Sequence, residues 1–96
     1  MKIARVIGSA VSTVKDSKLT GYKLLIVQYA SPNNSLFGDA FIAVDTVGAG
    51  EGELVILVEG SSARYTGKTE ASAVDAVIIG ILDSLTMHSE IVFQKS

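Results

Sequence analysis

Apolar positions along this chain recur mostly with the two-residue period of a half-buried β-strand. In "KIARVIGSAVSTV", Lys2 to Val14, Ile3, Arg5 and Ile7 alternate with Ala4 and Val6. Gly8 falls in the middle of the segment, and an interior glycine in a strand predicts a bulge or sharp bend. A polar turn follows at Lys15–Gly21. Then comes "YKLLIVQY", Tyr22 to Tyr29, apolar almost throughout as in a strand covered on both faces. "ASPNNSLFGD", with the only proline, two asparagines and a glycine, predicts an exposed loop over Ala30–Asp39. "AFIAVDTV" and "ELVILVEG" predict a third and a fourth strand. The polar "SSAR" after them allows a turn or a single helical turn.

The segment Ser72–Leu85 sends two conflicting signals. Val74, Val77, Ile78, Ile81, Leu82 and Leu85 fit a helical repeat, and Ser72 with Asp75 fits a capping box. "VIIGI" within it is mostly β-branched around a glycine, which favours a strand. Periodicity leans helix and residue chemistry leans strand. The tail "SEIVFQKS" adds a short closing strand. Four or five strands at this spacing, joined by glycine-rich turns, predict a small closed or partly closed β-barrel, whose closure removes sheet edges that so apolar a chain could not safely expose.

Size and composition sharpen this picture. Ninety-six residues make one domain, 1–96, with a modest core. An apolar fraction of 48% is high for so small a soluble monomer, and the surplus points to subunit interfaces. No apolar run approaches the roughly 20 residues of a membrane span, the longest being interrupted by Arg5, Gln28, Glu59 and Gly80. Arg5 also breaks any signal-peptide reading of the N-terminus. The formal charge is −2, the lysines and arginines are scattered, and the six aromatics are dispersed, which disfavours a nucleic-acid surface. Without cysteine there is no disulfide and no thiolate metal site, which fits a reducing cytosol.

Candidate chemistry is sparse. Gly48, Ala49, Gly50, Glu51 and Gly52 form the densest glycine cluster, but a strand follows where a phosphate-binding loop needs a helix N-terminus. Glu51 and Glu53 would repel an anion. The loop reads as a tight connection whose glycines allow positive φ or close backbone approach, not as a cofactor cradle. Ser61 or Ser62 with His88 is the one conceivable nucleophile–base set, yet the histidine is isolated and the nucleophile elbow is absent. His88 is likewise the only imidazole for a metal. No cofactor or metal is expected. Asp45, Asp75 and Asp83 sit near turns, where aspartate ordinarily binds local N–H groups. Arg64 is free to pair with one of them or with a neighbouring subunit.

Four segments carry a family resemblance: "MKIARVIGSAVST", "KLLIVQ", "AVDTVGAGEGELVILVEGSSAR" and "VDAVIIGILDSL". They cover well over half the chain, and the third is the most specific. In these the chain resembles the bacterial microcompartment vertex proteins, the pentameric shell proteins of carboxysomes and metabolosomes. The resemblance implies a mainly β fold: a five-stranded barrel related to the oligonucleotide-binding barrel, with one short helix, assembled as a five-fold ring. It implies that "VIIGIL" is a strand. It also implies a non-enzymatic role in a cytoplasmic compartment, as a homopentamer at shell vertices beside hexameric shell proteins, with neither nucleic acid nor membrane as partner. Gly48–Gly52 is then the candidate axial or interface loop, and Asp45, Arg64 and Asp75 are candidate turn or interface residues. A barrel module that binds nucleic acid or another protein is the alternative, and a small serine hydrolase the third class.

Overall fold

The computed structural model describes residues 1–11, 21–60 and 75–95. Seven strands follow in chain order: β1 (Lys2–Ala10), β2 (Lys23–Ala30), β3 (Leu36–Asp45), β4 (Leu54–Glu59), β5 (Ala76–Ile81), β6 (Ser84–Met87) and β7 (Glu90–Gln94). The first five close into a barrel in the order β1-β2-β3-β5-β4. β4 returns to β1 through pairs such as Ile3 with Ile56 and Ala4 with Val55. All the ladders are antiparallel except the parallel pairing of β3 with β5, which rests on two register pairs, Val44 with Val77 and Asp45 with Ile78. The Thr46 hydroxyl prolongs that contact by donating to the Ile78 carbonyl at 2.8 Å.

The alternation in the sequence sets which side chains face inward. Ala4, Val6, Leu25, Val27, Ala43, Val55, Leu57 and Ile78 fill the barrel, with Phe41 and Ile81 packed against them. On the opposite face of the sheet, Val44 and Val77 pack with Tyr22, Leu24, Val58 and Ile79. At Gly8 the register between β1 and β2 slips, so Ile7 is extruded as a bulge, and a Cβ on Gly8 would lie 3.5 Å from the Ile26 side chain.

The conflicting signals in Ser72–Leu85 resolve where that segment is described: residues 76–81 are strand, as residue chemistry and the family resemblance imply, and the helical spacing is a coincidence of burial. β5 lies between β3 and β4, so Ile78 points into the barrel while Val77 and Ile79 pack outside, and two apolar faces mimic a helical stripe. The expected loop at 30–39 shrinks to Ser31–Ser35, because β3 begins at Leu36. Asn34 takes a φ of 72° there and donates its N–H to the Ser31 carbonyl, the left-handed position that asparagine tolerates. The tail does not close the barrel. β7 pairs with β6 in a separate two-stranded sheet, with His88 and Ser89 at φ of 54° and 65° forming the tight turn between them. Among the described residues only Gly60, just after β4, is in a 3₁₀ turn, and the "SSAR" stretch lies outside them.

Candidate functional site

The 45–53 connection between β3 and β4 is built around Asp45, a buried carboxylate at the end of β3. Its Oδ1 accepts the N–H groups of Val47 at 3.0 Å and Gly48 at 3.1 Å, turning the chain out of the strand. Its Oδ2 lies 3.8 Å from the Lys23 ammonium, which itself donates to the Ala49 carbonyl at 3.0 Å. Ala49 is fully buried and belongs to the barrel core, so the loop dips inward before it leaves again. Residues 50–53 then form a turn in which Glu53 N–H reaches the Gly50 carbonyl at 3.1 Å, with Gly52 at a φ of 91° in the third position. Gly48 has a φ of 79°, whereas Gly50 lies outside the left-handed region. Positive φ is therefore required at two of the three alternating glycines, not at all three.

Cations staple this loop to the barrel. Arg5 donates to the Gly52 carbonyl at 2.6 Å and to the Asn34 side chain, tying β1 to both turns. Gly52 N–H and Val6 N–H exchange bonds with the Val6 and Glu53 carbonyls, continuing the β1 edge. Glu53 accepts the Gly50 N–H at 2.7 Å and pairs with Lys95 at 2.7 Å. Those two bonds, the lysine's first, hold the Glu53 carboxyl below its ordinary range, and the same partner raises the Lys95 ammonium. The amides of Val47, Gly48, Gly50, Gly52 and Glu53 are thus all engaged within the chain, and none of the five is left for an anion. Of the two acids only Glu51, exposed at the corner of the turn, is left to face outward.

The other candidates do not converge on this loop. Asp75 is exposed beside β5, and its carbonyl accepts the Gly60 N–H at 2.8 Å. The Asp83 carbonyl accepts the Lys95 N–H at 2.7 Å at the root of the β6–β7 hairpin. His88 is exposed at the hairpin tip. Ser61, Ser62 and Arg64 lie outside the described residues. Among the described residues no three His, Cys, Asp or Glu side chains are grouped to hold a metal, and no helix is long and apolar enough to cross a membrane.

Sequence reasoning missed the staples, Arg5, Lys23 and Lys95, because single scattered cations carry no local signal. It also missed an acid–phenol pair: Tyr29 donates to Glu59 at 2.6 Å, while its ring packs on Phe37 and Phe41. That hydrogen bond, followed by burial and the carboxylate charge, raises the phenol's pKa.

Comparison with known proteins places this barrel. Residues 1–83 match the family model described as ethanolamine utilisation protein EutN/carboxysome. The bacterial microcompartment shell vertex protein EutN of Escherichia coli K12 is 43% identical over 95 residues, covering 99% of this chain and all of that protein. The solved structure of CcmL from a Nostoc species superposes with a TM-score of 0.89 at 38% identity, over 99% of this chain and all of that one. GrpN of Rhodospirillum rubrum, described as a pentameric microcompartment shell protein, superposes with a TM-score of 0.80 at 42% identity, over 91% of this chain and 99% of that one. The chain belongs to the EutN/CcmL family.

Proposed function

We propose that this EutN/CcmL-family chain forms the pentameric vertices of a bacterial microcompartment shell, as a single vertex domain spanning residues 1–96. The observation that carries the reading is a match over essentially the whole chain to a shell vertex protein, joined to close superposition on a pentameric shell protein. Barrel geometry suits the task. Closure removes every sheet edge of the barrel, so chains meet through side chains and loops in a repeated head-to-tail contact that closes a ring. A flat hexagonal layer needs five-fold units to curve shut, so hexameric shell proteins in the cytoplasm are the partners this role demands. The chain acts by shape, without catalysing a reaction.

Within that role Gly48–Gly52 is the loop we assign to the axial or subunit-facing surface. Its support is the small side chains, the internally satisfied amides and the exposed Glu51. Five copies of Glu51 around an axis would create a focused negative potential. Asp45 holds the loop's shape, and Asp75 and Arg64 are assigned to turn or interface roles.

Native mass spectrometry at micromolar concentration should give a pentamer, and co-production with a hexameric shell protein should give closed shells that open when this chain is omitted. A monomer alone, or a hexamer, would remove the vertex role. Tight oligonucleotide binding that weakens steeply with salt would favour the nucleic-acid alternative instead.

A further inference from the structure

The β6–β7 hairpin stands apart from the barrel, its two strands pairing only with each other. Its two ends are fixed by different means. At the β6 end the chain runs directly on from β5, and the Leu82 N–H donates to the Leu54 carbonyl at 2.8 Å. At the β7 end the Lys95 N–H donates to the Asp83 carbonyl at 2.7 Å, a contact within the hairpin's own root. An open cleft of about 340 Å³ lies between β7 and the barrel, lined by Phe93 and Gln94 from the hairpin and by Arg5, Asn34 and Leu54 from the rest of the chain. It is wide enough to hold water, so packing does not seal this side of the hairpin. Among the described residues, the side-chain bond that spans it is the one from the Lys95 ammonium to the Glu53 carboxylate, at 2.7 Å. Glu53 serves two elements at once: one of its oxygens takes Lys95, and the other accepts the Gly50 N–H at 2.7 Å inside the 50–53 turn. Arg5, the other cation on the cleft, is already committed to the Gly52 carbonyl and the Asn34 side chain. Each partner favours the other's charged form, the carboxyl held low and the ammonium high, with Lys23 and Asp83 adding more distant attraction.

We infer that the Glu53–Lys95 pair is a latch across this cleft, which sets the angle of the hairpin to the barrel and couples it to the turn at 50–53. One carboxylate holds both, so whatever draws it from Gly50 loosens the hairpin, and whatever frees Lys95 loosens the turn. Coupling of this kind is reciprocal. The lysine and glutamate side chains are 43% and 23% exposed, so dissolved ions reach the pair and compete with it. High ionic strength therefore opens the latch, because at about 1 M salt charges are screened beyond about 3 Å. Both partners belong to one chain, and the latch works whether or not chains assemble.

The test is amide hydrogen exchange in the full chain at one fixed concentration, following residues 84–94 and Gly50. In Lys95→Met the hairpin amides should exchange up to about five-fold faster, the limit for an exposed ion pair. The Gly50 amide should exchange faster as well, although Lys95 does not touch it, because the freed carboxylate turns away. Wild-type protein in about 1 M salt should behave like this variant, and the variant itself should not respond to salt. Reversing the pair, Glu53→Lys with Lys95→Glu, should restore slow exchange in the hairpin and leave Gly50 fast, since a lysine offers that N–H no acceptor. Equal hairpin exchange in wild type and Lys95→Met would overturn the latch. A faster hairpin beside an unchanged Gly50 would overturn the coupling. A hairpin that stays fast in the reversed pair would show that the stem of Lys95, not its charge, does the holding, and would overturn the latch too.

Discussion

Replacing Asp45 tests whether one buried carboxylate sets the path of the loop between β3 and β4. In Asp45→Ala the N–H groups of Val47 and Gly48 lose an ionised acceptor at 3.0 and 3.1 Å. Hydrogen bonds to a charged group contribute about 1.5–3 kcal/mol each. Val47 and Gly48 are exposed, so water replaces part of that, and the pair together should be worth about 2–3 kcal/mol. The Lys23 contact adds little, since it spans 3.8 Å to an ammonium whose side chain is 59% exposed, and such pairs are worth under about 1 kcal/mol. Asp45→Asn keeps the Oδ1 acceptor but places an amide N–H₂ toward Lys23, so it should cost about 1 kcal/mol. In urea, with a slope of about 1 kcal/mol/M for a chain this small, the midpoint should fall by about 2–3 M for alanine and about 1 M for asparagine. Both must be measured at one fixed protomer concentration, because assembly itself shifts apparent stability. An alanine variant within about 0.5 kcal/mol of wild type would refute the reasoning, showing that the turn forms without its anchor. Equal losses in the two variants would show that charge, not acceptor geometry, governs the site.

Two further outcomes follow from the same loop. Ala49→Leu should destabilise the barrel by about 1–3 kcal/mol through overpacking, since Ala49 has no exposed surface, while Gly50→Ala should be nearly neutral because its added Cβ meets only Glu53 Oε1, at 3.6 Å. Thermal melts in which Gly50→Ala costs more than Gly48→Ala, where φ is 79°, would contradict that backbone assignment. Glu53 has a folded pKa below its unfolded one, so its contribution is present above the unfolded value and is lost as pH falls through the depressed folded value. The stability gap between wild type and Glu53→Gln should therefore be visible near neutral pH and shrink as pH falls below the ordinary glutamate value of about 4.3. A gap that persists unchanged in acid would mean that packing, not the charge, explains it.

Much of the barrel was legible because its strands alternate. Ala4 and Val6, or Leu25 and Val27, announce an inner face two residues at a time, and Gly8 marks its own bulge. The loop at 48–52 was legible as a turn from its glycines and the strand that follows. What stayed hidden depends on register between distant segments. Periodicity alone does not tell helical spacing in 74–85 from a strand buried on both faces, and β5, lying between β3 and β4, is the latter. The bulk that Ala49 can tolerate is likewise unreadable locally. A small residue among glycines reads as loop filler, yet this one is in the core. Arg5, Lys23 and Lys95 reach the loop from β1, β2 and the C-terminus, and no local pattern signals a contact of that span.

The parallel seam between β3 and β5 has a kinetic consequence. It is the shortest ladder in the barrel, two register pairs, and it joins segments separated by the whole of β4. Its antiparallel neighbours on either side, β2–β3 and β4–β5, close smaller chain loops and form at lower entropic cost than this seam; the β1–β4 ladder spans more chain still, but it rests on four register pairs. Barrels dominated by such distant pairings fold in about milliseconds to seconds, far slower than helical bundles of equal length. During that interval β3 and β5 each present an unpaired edge, and two unfinished chains can complete one another's seam instead of their own. For a chain proposed to assemble in fives, the rate of zipping Val44 to Val77 then competes directly with cross-pairing between chains.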